Sequence, residues 1–195
     1  MTYLLQDCLY RKSGIRPVVL VGNSMSGLIA LDFASNFPEA VDGLIMSGSP
    51  GLVELNAGVS LNSLRKGSME TAQSLGNRVF YDIEKVPPRG IEDIQKICSQ
   101  PENMKAMIKW LNISRKYDIE SAAAQLECPV QLIWGDHDLI TPGKEWSEFA
   151  EKNSGITYNE VAFCGHSPML ERPFEFIELM SFYINSIQQP LIQTA

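Results

Sequence analysis

Apolar positions along the chain fall into two kinds of pattern. Residues 17–21, Pro-Val-Val-Leu-Val, form an unbroken β-branched run that stops at Gly22, the pattern of a strand buried on both faces of a parallel sheet. A helix is predicted next, because Asp32, Ser35, Asn36 and Glu39 recur at helical spacing while Leu28, Leu31 and Ala34 fill the other faces, and Pro38 marks its end. A second buried strand over residues 44–47 runs into the turn Gly48-Ser49-Pro50-Gly51, which completes a strand-helix-strand unit of the right length for a right-handed crossover. The sheet pattern resumes at residues 129–134, Pro-Val-Gln-Leu-Ile-Trp, and stops at Gly135. Alternation at Thr157, Asn159, Val161 and Phe163 predicts another strand ending at Gly165. The last helix begins near Pro173, a favoured first-turn residue, with Ile177, Met180, Ile184 and Ile187 on one face.

Residues 52–126 read differently, as several amphipathic helices separated by breaks such as Pro87-Pro88 and Pro101. Ala72, Leu75 and Val79 form one stripe, and Met104, Met107, Ile108 and Leu111 another. The pattern predicts a helical lid inserted into a core formed by residues 1–51 and 127–195. Met104, Met107 and Trp110 are candidates for lining an apolar substrate pocket, although such stripes are more often ordinary packing.

At 195 residues and 45% hydrophobic content, the chain can bury one substantial core. Lysine and arginine number 16 against 23 aspartates and glutamates, and the net charge of −7 gives no electrostatic footprint for nucleic acid or an anionic membrane surface. A small-molecule substrate fits better. No apolar run reaches bilayer-spanning length, and the first residues lack a basic segment followed by a hydrophobic stretch and cleavage site. The four cysteines, Cys8, Cys98, Cys128 and Cys164, lie far apart with no zinc-type spacing, and read as free thiols of a cytoplasmic protein.

Chemistry concentrates at three places. Gly22-Asn23-Ser24-Met25-Ser26-Gly27 sits where a buried strand turns into a helix, the context that a nucleophile elbow needs. A serine hydroxyl is a weak nucleophile at neutral pH, so the turn has to expose its oxygen and aim a helix N-terminus at developing negative charge. Ser26 stands where the G-x-S-x-G pattern has its second glycine, a mild departure. The second place is His166, one of two histidines, in the loop Cys164-Gly165-His166-Ser167-Pro168 beyond a predicted strand end. The third is Gly135-Asp136-His137-Asp138, an acidic turn after the strand through Ile133. Asp138 is the expected acid, Asp136 the alternative, and His137 reads as a surface residue. The order serine, acid, histidine is that of a serine nucleophile with its base and orienting acid in a parallel α/β fold.

On these three motifs the chain resembles the α/β-hydrolase superfamily from its first residues to its last helix, with the helical insertion as the least specific part. The resemblance implies a partial α/β-hydrolase fold, the C-terminal half of a mostly parallel sheet with flanking helices and a lid. In that family the last position of the G-x-x-D turn carries the acid, here Asp138, and the loop glycine-histidine pair supplies the base, here His166. His166 would take the Ser24 proton as the hydroxyl attacks a carbonyl, with the backbone N–H of Met25 as one oxyanion donor. No metal or organic cofactor is implied. Asn23 before the serine is similar to the Gly-Asn-Ser-Met elbow of many carbon–carbon bond hydrolases of ring-opened aromatic compounds, and is a candidate substrate contact. Those relatives commonly place an aromatic residue after the histidine, where this chain has Ser167, so an ester or thioester substrate ranks first.

The resemblance also implies that four strands of the family sheet precede this chain's first helix, expected over residues 3–12, and that the loop giving the second oxyanion N–H is among them. The first strand then becomes an open hydrophobic edge, which predicts either a homodimer through that edge or a fragment of a longer protein. Two further readings compete: a catalytically silent hydrolase or binding module, and a doubly wound nucleotide-binding domain. The second is poor, because the Gly22 turn lacks G-x-G-x-x-G and no P-loop lysine is present.

Overall fold

The computed structural model of the chain describes residues 2–13, 17–58 and 60–188, so residues 1, 14–16 and 189–195 of the expected core lie outside the described residues. Helix α1 (Thr2–Ser13) leads to β1 (Val18–Asn23), which turns directly into α2 (Met25–Asn36). After a 3-10 turn at Pro38–Ala40, β2 (Val41–Ser47) is followed by five helices: α3 (Leu61–Lys66), α4 (Met69–Val79), α5 (Pro88–Cys98), α6 (Pro101–Ser114) and α7 (Ile119–Ala123). Then come β3 (Val130–Gly135), α8 (Lys144–Glu151), β4 (Ile156–Val161), α9 (Pro168–Glu171) and α10 (Pro173–Gln188). Among the described residues no strand lies within 52–126, and no helix is long and apolar enough to cross a membrane.

The four strands are parallel and stand in the order β1-β2-β3-β4. The two-residue period of a strand splits their side chains between two cores. Leu44 and Met46 of β2 and Leu132 and Trp134 of β3 face a core shared with Leu28, Leu31 and Phe33 of α2 and Trp146 of α8. Ile45 and Ile133 point the other way, against Phe176 and Tyr183 of α10. Because both central strands are buried on both faces, they read in sequence as near-continuous apolar runs. Tyr183 ties α10 to the sheet, donating from its hydroxyl to Pro129 O at 2.6 Å and accepting Leu44 N–H at 3.0 Å. Burial of this phenol holds its pKa well above the ordinary tyrosine range.

The structure differs from the sequence pattern in several places. The first strand is not buried on both faces: β1 pairs only with β2 among the described residues, α10 packs over β2 and β3, and Val21 is 50% exposed. The last strand stops at Val161, because Phe163 adopts φ +53 and takes the chain into a turn. Helix α8 and the short helix α9 have no counterpart in the predicted elements. Within the helical segment, Cys98 and Met104 pack with Leu75, Ile94 and Met107 into a small core of their own, whereas Ile119 and Ala122 of α7 join the main core.

Candidate active site

Ser24 lies between the last residue of β1 and the first of α2 with φ +55 and ψ −130, a backbone region that costs a non-glycine residue on the order of 1–3 kcal/mol. Close packing of strand and helix enforces it. A Cβ on Gly22 would lie 2.6 Å from the Gly27 backbone, and one on Gly27 would collide with Ser49 Oγ. The Ser24 N–H donates to Ser47 O at 2.8 Å, pinning the turn to the end of β2. Ser26 closes the turn with its side chain, donating to Asn23 O at 2.6 Å and accepting Asn23 N–H at 2.9 Å. The departure from G-x-S-x-G is thereby absorbed, with Gly27 meeting the need for a small residue one position later. Ser24 occupies the N-cap of α2, yet its hydroxyl makes no capping bond. Met25 N–H belongs to the first turn of α2, where backbone donors have no intrahelical partner.

The acid and base loops follow β3 and β4. His166 donates from Nδ1 to Asp138, 2.9 Å from Oδ2 and 3.1 Å from Oδ1. Both side chains are buried. The same carboxylate accepts the Ile140 and Thr141 N–H groups at 2.9 Å each and the Thr141 hydroxyl at 3.0 Å, so its orientation is set by its own turn. Gly48 forms the floor under the imidazole: it has φ +56, and a Cβ there would lie 2.8 Å from His166 Cε1 and Nδ1. Asn23 donates from Nδ2 to His166 O at 3.0 Å and to Ser47 O at 3.2 Å, joining the ends of β1 and β2 to the loop that carries His166.

The alternative acid has a different task. Asp136 Oδ1 meets His137 Nδ1 at 2.7 Å and accepts Cys164 N–H at 3.0 Å, so it braces the turn into the His166 loop. Partial burial pushes this carboxyl up, but hydrogen bonds from His137 and from the Cys164 and Phe163 N–H groups outweigh it and leave the pKa lowered. His137 is half-exposed.

Beneath the loops lie two tryptophans that the sequence pattern marked only as core or left unremarked. Trp134 and Trp146 are buried with ring centroids 5.6 Å apart. Trp134 Nε1–H donates to Thr141 O at 2.7 Å, and Trp146 Nε1–H donates to Ser49 O at 2.8 Å. Each indole thus adds apolar packing on its sheet side and a donor on its loop side.

Ser24 and His166 line one cleft of about 580 Å³, with Met25, Leu55, Leu75, Val79, Met107, Leu111 and Ile140 among its walls and Arg115 and Asn112 as polar members. Of the residues predicted to contact substrate, Met107 lines this cleft. Met104 is 2% exposed inside the small helical core. Trp110 lines a separate groove of about 520 Å³ with Met25, Ile29 and Asp32 of α2. Asn23 spends its amide on backbone oxygens.

A parallel sheet with a strained serine at the turn from β1 to α2 and a buried Asp–His pair in the loops after β3 and β4 defines a hydrolase fold of the α/β class. The chain belongs to the alpha/beta hydrolase family, whose model matches residues 2–179. It is 26% identical over 179 residues to a pimeloyl-[acyl-carrier protein] methyl ester esterase of Wigglesworthia glossinidia brevipalpis, covering 85% of this chain and 69% of that protein. It is 23% identical over 186 residues to a monoacylglycerol lipase of Xenopus laevis, covering 87% of this chain and 55% of that one. Among solved structures, a bacterial membrane phospholipase A shares the fold with a TM-score of 0.81 at 23% identity, over 97% of this chain and 63% of its own. The chain spans about half the length of several curated relatives it matches.

Proposed function

We propose that the chain is a serine hydrolase that cleaves small, largely apolar esters or thioesters through an acyl-enzyme on Ser24, with residues 52–126 as its lid. The observation that carries this reading is that Ser24 and His166 share one cleft, while the far side of the imidazole is bonded to the buried Asp138. The apolar walls favour an acyl chain over a charged group, and ester cleavage is what the Wigglesworthia relative's name describes.

In this mechanism His166 takes the Ser24 proton as Oγ attacks the substrate carbonyl, and Met25 N–H donates a hydrogen bond to the developing oxyanion. Collapse expels the alcohol or thiol, which receives the proton from His166. Water, deprotonated by the same ring, then attacks the acyl carbon, and the ring returns that proton to Ser24 Oγ as the acid leaves. Asp138 holds Nδ1–H throughout and stabilises the imidazolium.

Turnover of p-nitrophenyl esters of graded acyl length tests the proposal. Activity with short and medium chains, abolished in Ser24→Ala, is expected; equal activity in Ser24→Ala contradicts it.

A further inference from the structure

Three segments distant in sequence meet at the C-terminal end of α4. Arg78, in its last turn, donates from Nε to Asn56 O at 3.0 Å and from Nη2 to Leu139 O at 2.7 Å. Leu139 directly follows Asp138. The next residue, Val79, accepts the His166 N–H through its main-chain oxygen at 2.7 Å. Further on, Tyr81 N–H donates to Glu171 Oε2 at 2.7 Å, and the other oxygen of that carboxylate accepts Gly165 N–H at 2.9 Å. Residues 78–81 therefore bond to the loop that carries Asp138 and also to the loop that carries His166.

The Asn56 arm closes on the same point. Asn56 N–H donates to Ile140 O at 2.8 Å, and Ile140 N–H is one of the donors that orient Asp138 Oδ1. The backbone of residues 139 and 140 is thus held from outside at two successive carbonyls, one by Arg78 and one by a segment that Arg78 itself anchors. The loop is shaped for this side chain: Gly58 has φ +67, and a Cβ there would collide with Arg78 Cδ. A planar guanidinium reaches two carbonyls with fixed geometry, which an ammonium cannot do, and charge-assisted bonds of this kind are roughly twice as strong as neutral ones.

We infer that Arg78 is a positioning residue for Asp138: it fixes the 139–140 backbone whose N–H groups aim the carboxylate at His166, and so makes the acid–base pair depend on the seating of α4. The inference rests on the triad reading above. It assigns the helical segment a second task besides walling the cleft, since withdrawing α4 removes the outer support of both loops together.

The test uses the full chain as parent and two variants of it, all in a His137→Ala background so that a single histidine remains. The low-field proton resonance of His166 Nδ1–H bonded to Asp138 is recorded for the parent, Arg78→Ala and Arg78→Lys, alongside steady-state kinetics on p-nitrophenyl butyrate. Loss or broadening of the resonance in Arg78→Ala is expected. A fall in kcat of about 10- to 100-fold with KM little changed should accompany it, with partial recovery of both on adding millimolar guanidinium. Persistence of the parent resonance in a folded Arg78 variant overturns the inference, whatever happens to kcat. If Arg78→Ala does not fold, Arg78→Lys decides on the same criterion. A parent chain that shows the resonance but no ester turnover counts against the triad reading alone, because the resonance still reports on Arg78.

Discussion

The side-chain amide of Asn23 spans 143 positions of sequence to hold the main-chain oxygen of His166 at 3.0 Å. With its second bond to Ser47 O it locks the serine turn, the end of β2 and the histidine loop into one unit. Asn23→Ala removes both bonds, and at about 0.5–1.5 kcal/mol for each the expected loss of stability is about 1–3 kcal/mol, read by thermal unfolding. Asn23→Asp is expected to do worse, because its oxygens would face two carbonyls with no proton to offer. Equal stability of the alanine and aspartate variants would count against the brace.

The serine turn also depends on contact between strand and helix backbones. Gly22→Ala drives a Cβ against the Gly27 backbone, which has no room to yield, whereas Gly27→Ala meets the side chain of Ser49. Overpacking of this sort costs about 1–3 kcal/mol where side chains can adjust and more where they cannot, so Gly22→Ala is expected to be the more damaging. Ser49 Oγ is buried without a hydrogen-bond partner among the described residues. Adding Ser49→Ala to Gly27→Ala should therefore restore much of the lost stability, as judged by denaturant midpoints.

Thiol chemistry gives an independent check on the environment of the histidine loop. All four cysteines are free, with Cys8 exposed and Cys98 and Cys164 buried. Burial, reinforced by the nearby Glu171 carboxylate, pushes the Cys164 thiol up to about 12, so it holds its proton at neutral and mildly basic pH. Alkylation of the native chain at pH 8 is expected to modify Cys8 first and to leave Cys164 untouched until unfolding, as peptide mass spectrometry will show.

The outer edge of β1 has no partner among the described residues, and half-exposed Val21 adds apolar surface beside it. Open edges of this kind pair with other strands. Concentration-dependent self-association is expected in sedimentation, and Val21→Lys should weaken it without unfolding the chain. Association unaltered by Val21→Lys places the contact elsewhere.

How much of this was legible in the sequence follows from the range of the interactions. Strands β2 and β3 are buried on both faces, so apolar composition alone reveals them; β1 carries the same composition but lies at an edge, and its exposure depends on what stands beside it. Ser24, Asp138 and His166 stood out because each follows a strand within a short motif. Asn23, Arg78 and Gly48 act through contacts with residues 22 to 143 positions away or across a loop, and no local pattern carries that information. Met104 and Met107 share one helical stripe, yet one is sealed in a small core and the other lines the cleft. Period gives the face of a helix but not what lies opposite.

The measurement that bears most directly on the proposed function is covalent labelling by a fluorophosphonate probe, located by peptide mass spectrometry. Stoichiometric modification at Ser24, lost in His166→Ala and strongly slowed in Asp138→Asn, is the predicted result. A folded chain that shows no modification at Ser24, or one that labels equally well without His166, contradicts it.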